Sequence, residues 1–129
     1  MEIGQGISLA GLFHEDWQYP FYVSGAVTQA DVGKAVTLDT TAQNTVKLAG
    51  DGDPILGRLE TFEDRTVEGV KVGTVSIQGG MKFPKTAAAI AVGNSIVGGG
   101  GGLVKADVSA NGHNVVVEVG ADYVVAILK

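Results

Sequence analysis

The sequence predicts an all-β fold: a small, mostly antiparallel β-barrel or sandwich of eight to ten short strands, with an extended N-terminal arm. Three observations carry this. Apolar and polar residues alternate over short runs, the signature of half-buried strands. Glycine supplies 20 of the 129 residues and falls largely between those runs, where turns and bulges need it. Only three prolines and a 45% hydrophobic share set the chain apart from disordered sequences. The length suits one domain with a core of its own.

Residues 1–19 read as the arm. Gly4, Gly6 and Gly11 interrupt any helix, yet Leu12, Phe13, Trp17 and Tyr19 are large and apolar. Either the segment lies on the domain's own core, or it docks on a partner, because a bare aromatic arm is a liability. Residues 20–129 form the β domain. PFYVSGAV (20–27) is the first strand, with Pro20 at its start. TQADVGK (28–34) is a turn, with room for one helical turn capped by Thr28. AVTLDT (35–40) alternates, placing Val36, Leu38 and Thr40 on one face, and pairs with TVKL (45–48) as a hairpin.

AGDGDP (49–54) is a strong breaker. ILGRLETFE (55–63) follows as one strand, and DRTVEG (64–69) as a hairpin loop. In VKVGTVSIQ (70–78) the apolar phase slips at Gly73, which predicts a β-bulge there. Gly79-Gly80 predicts a tight turn before Met81–Phe83. PKTAAAIAVGN (84–94) suits a short helical turn or an extended loop equally well. SIVG (95–98) and LVKADVS (103–109) are strands, and the glycine run 98–102 between them reads as a flexible loop. Asn111-Gly112 is a hairpin signal. VVVEVG (115–120) and ADYVVAILK (121–129) form the last hairpin. The terminal strand is apolar on both faces, which predicts a central strand or a subunit interface, with Tyr123, Val125 and Ile127 as the candidate contact row.

One internal echo stands out. ADVGKAVTLD (30–39) and IAVGNSIVGG (90–99) share the form V-G-x-x-[IV] leading into a strand, as two similar turn-strand units would.

The net charge is −5, with 14 acids against nine bases. Residues 1–30 hold three acids and no Lys or Arg. No basic patch is visible, so nucleic acid is not an expected partner. No run approaches the length of a membrane span, and no basic leader precedes an apolar stretch, so a membrane is not expected and a soluble protein made and used in the cytoplasm is the default expectation.

Chemistry-bearing patterns are sparse. There is no cysteine and there are two histidines, His14 and His113. His14-Glu15-Asp16 is a poor chelating cluster, because neighbouring side chains on extended chain point apart. Asp51-Gly52-Asp53 lacks the further ligands of a calcium loop. The glycine run lacks the G-x-x-x-x-G-K-[ST] pattern of a phosphate loop. The serines fall in no G-x-S-x-G elbow. No catalytic, metal or cofactor-binding residue is therefore assigned, no cofactor is expected, and the chain does not read as an enzyme.

Taken together, ADVGKAVTLDTT, AGDGDPILGRLETFED, VKVGTVSIQGGMKF and AVGNSIVGGGGGLVKAD resemble the small capsid decoration (cement, head-stabilising) proteins of tailed bacteriophages. The resemblance is one of layout over roughly residues 25–107 and more loosely over the closing hairpin. It implies an all-β homotrimer on the outer surface of the virion capsid, at three-fold positions of the expanded head. There it would clamp neighbouring major capsid protein subunits against internal DNA pressure, without cofactor or catalysis. On that reading Leu12, Phe13, Trp17 and Tyr19 are the expected capsid contacts, and Tyr123, Val125 and Ile127 the expected trimer interface. Other expectations are a different phage virion module (tail, baseplate or head fibre) and a small ligand- or carbohydrate-binding β domain.

Overall fold

The computed structural model describes residues 17–65, 67, 69–109 and 112–129. It is all-β, with ten strands and no α-helix among the described residues. The strands are β1 (Trp17–Val23), β2 (Ala35–Leu38), β3 (Thr45–Leu48), β4 (Gly57–Leu59) and β5 (Glu63–Arg65). They continue as β6 (Val70–Pro84), β7 (Ser95–Gly100), β8 (Leu103–Asp107), β9 (Asn114–Val119) and β10 (Tyr123–Leu128). A 3-10 turn covers Gln29–Asp31, after Thr28 as expected.

Five strands close into a barrel in the order β1-β3-β2-β4-β6 and back to β1. Among the named strands only β1–β3 is parallel. Val23, Val27, Val36, Val46, Leu59 and Val75 fill the barrel. A second core lies where β10 and β9 continue beside the far half of β6 and the β7–β8 hairpin packs over them. Met81, Phe83, Val124, Ala126 and Leu128 from that sheet meet Ile96 and Val104 from the hairpin. Each of these side chains other than Ala126, fully buried, contributes about 1.5–3 kcal/mol. β6 is common to both cores.

Three expected hairpins are present: β2–β3, β5–β6 and β9–β10. β10 is a central strand, flanked by β6 and β9. Elsewhere the structure corrects the sequence reading. β1 begins at Trp17 rather than Pro20, and pairs with β6 from Trp17↔Gln78 to Tyr22↔Val72. Pro20 sits inside the strand because its missing N–H falls on the edge where β3 reaches only Tyr22 and Val23. Residues 55–63 are not one strand; β4 and β5 are separate, and both pair with β6.

The bulge is not at Gly73. It lies at Ile77, where Trp17↔Gln78 is followed by Gln18↔Ser76. Gly73 instead allows a close approach, since a Cβ there would overlap the Thr61 carbonyl oxygen. Gly79-Gly80 is no turn: both residues lie within β6 and pair with Leu128 and Ile127. Leu38 does not share the burial of Val36; it is 50% exposed. The alanines 87–89 form no helix, and Ile90 ties their segment into the second core.

The glycine run is not a loose loop. Gly98, Gly99 and Gly100 belong to β7, and only Gly101-Gly102 turn. The run is bonded to its surroundings: Gly98 N–H donates to the Asp53 carbonyl (2.8 Å), Gly52 N–H to that of Gly98 (2.8 Å), and Gly102 N–H to that of Ala49 (3.1 Å). Of the Asn111-Gly112 signal, Asn111 lies outside the described residues; the strands on either side are partnered elsewhere, β8 with β7 and β9 with β10.

The internal echo is structural. Lys34 N–H donates to the Asp31 carbonyl and Asn94 N–H to that of Ala91, both at 3.1 Å. The glycines inside these turns have φ of 95° (Gly33) and 93° (Gly93), which an L side chain adopts only under strain. Gly33 and Leu59 then exchange bonds in the same way as Gly93 and Val116: Gly33 N–H to Leu59 carbonyl (2.7 Å), Leu59 N–H to Lys34 carbonyl (3.0 Å), Gly93 N–H to Val116 carbonyl (2.8 Å), Val116 N–H to Asn94 carbonyl (2.8 Å).

Candidate interaction surfaces

Leu12 and Phe13 lie outside the described residues, as does His14. Trp17 opens β1 opposite Gln78. Tyr19 is 44% exposed and Tyr22, which sequence reasoning did not single out, 49%. Gln18 and Pro20 face an edge that β3 leaves open, so β1 offers unpaired backbone over its first half among the described residues. At the other end of β1, Tyr22 helps line an open hollow with Thr45, Val70 and Lys71. Lys71 spans its floor, donating to the carbonyls of Gly25 (2.9 Å) and Val27 (3.4 Å).

The row proposed for self-association divides. Val125 is fully buried within the chain itself, so it has no surface to give a neighbour. The doubly apolar pattern reflects β10's place between β6 and β9. Tyr123 is half-buried, with its hydroxyl on the Glu118 carboxylate (3.1 Å) and Lys82 Nζ 4.6 Å from its ring centroid. Its hydrogen bond to Glu118, with some desolvation, pushes the phenol above its ordinary value. Ile127 is the outward member, exposed and paired across to Val115.

A cleft beside Tyr123 gathers Lys34, Arg58 and Lys82. Two of these charges are already engaged. Arg58 grips Glu60 with two bonds of 2.8 Å and donates to the Lys82 carbonyl (3.1 Å). Lys34 pairs with the buried Asp31 at 2.9 Å. Burial would raise the Asp31 carboxyl, but the Thr28 N–H and the Lys34 ammonium outweigh it and hold the group below its ordinary value of 3.8. The arrangement braces β4 against β6 and has little capacity left for an anion.

A groove of about 590 Å³ lies at one end of the barrel. Leu38, Ile55, Leu56, Ile77 and Leu128 form its apolar walls, and Lys47, Asp53, His113 and Lys129 are among its polar residues. It draws on segments far apart in sequence, so no local motif announced it. No group of three or more His, Cys, Asp or Glu residues suited to a metal occurs among the described residues. No helix of the described residues is long and apolar enough to cross a membrane.

No protein-family model, curated protein or solved structure matches the chain.

Proposed function

We propose that the chain is a capsid decoration protein of a tailed phage. It binds the outside of the expanded head at three-fold positions, as a homotrimer, and clamps neighbouring major capsid protein subunits. One observation carries the reading beyond the resemblance in layout. β1 leaves the Gln18 N–H and carbonyl and the Pro20 carbonyl, with no N–H at Pro20, without a strand partner among the described residues; it also exposes Tyr19 and Tyr22 and follows in sequence the segment containing Leu12 and Phe13. An open strand edge is suited to adding onto another protein's sheet, and aromatic anchors supply interface energy. Three copies would add avidity to contacts that are weak singly. Within the trimer, Ile127 and Tyr123 are the members of the terminal strand with surface to offer.

The test is co-sedimentation of the purified chain with expanded shells that lack it, beside unexpanded procapsids. Saturable binding to expanded shells only, with greater heat resistance of the shells, is the expected result. Failure to bind either particle would remove this reading in favour of a tail, baseplate, head-fibre or ligand-binding module.

A further inference from the structure

We draw no further inference here: the strongest candidate, the apolar groove at the barrel end where Ile55, Leu56, Ile77 and Leu128 meet, sets Asp53 against Lys47 and Lys129 on its own lining, and nothing in the structure shows what covers it.

Discussion

The two turn-strand units, residues 31–38 and 91–98, share their turn, their positive-φ glycine and their bond exchange with a later strand, yet they are completed differently. In the first, β2 has main chain on both edges: β3 on one side and β4 on the other. In the second, β7 has β8 on one edge, and the other is divided: the main chain of Gly52 and Asp53 bonds Gly98, and a side chain serves Ile96. Asn114 Oδ1 accepts from the Ile96 N–H (2.7 Å), and its Nδ2 donates to the Ile96 carbonyl (3.1 Å). Ser95 Oγ adds a bond to the Asn114 carbonyl (3.1 Å). The comparison teaches that one local turn serves two environments. Sheet strands supply the partners in one place, and a buried amide together with the main chain of a turn in the other.

The largest break in the comparison is expected at Asn114. Asn114→Ala removes both side-chain bonds to the buried Ile96 main chain, at about 1–3 kcal/mol for a buried group that loses its partner. Urea unfolding should show a loss of about 2–4 kcal/mol; a loss under about 1 kcal/mol would mean the amide is not a strand surrogate. Next come the counterpart positions: Gly98→Ala overfills the contact with Gly50 and should cost about 1–3 kcal/mol. Leu38→Ala, half in solvent, should cost well under that, and similar losses at both positions would erase the distinction between covered and open units.

The shared turn is tested by Gly33→Ala and Gly93→Ala. Each forces an L side chain to positive φ, at about 1–3 kcal/mol. The two losses should agree within about 0.5 kcal/mol if the turns are equivalent. A smaller effect of opposite sign is expected at Ser76, whose hydroxyl is fully buried without a hydrogen-bond partner among the described residues. Ser76→Ala removes an unsatisfied group and should raise stability by up to about 1 kcal/mol.

The smallest difference is acid sensitivity. The first turn starts at Asp31 and the second at Ala91. Because the folded Asp31 carboxyl lies below its ordinary value of 3.8, its contribution is present above that pH and is lost as pH falls through the lowered value. Asp31→Asn should therefore flatten this part of the acid limb in a series of pH-dependent melts. An identical acid limb in both proteins would remove the role of Asp31.

What could be read from sequence was local. The β2–β3, β5–β6 and β9–β10 hairpins were legible because alternating runs flank short turn segments. The V-G-x-x-[IV] echo was legible because a positive-φ turn leaves its glycine in the text. What failed was non-local. Gly79-Gly80 signals a turn until β10 pairs along it, and the glycine run signals flexibility until Ala49–Asp53 packs against it. Pro20 signals a strand start until β3 proves too short to need its N–H. The surfaces divided in the same way. For Tyr19 the sequence left core and surface open and the fold leaves it 44% exposed, whereas Val125 was lost to the chain's own packing. The groove was invisible because its walls come from several distant segments.

β6 runs unbroken through both cores over 15 residues. Tension applied to the barrel therefore passes to the second sheet through covalent main chain, not through side-chain contacts alone. Fully extended, that strand would span roughly 50 Å. The molecule is in this sense built around a beam with a core hung on each half, and separating the halves mechanically requires peeling one of them off its own strand.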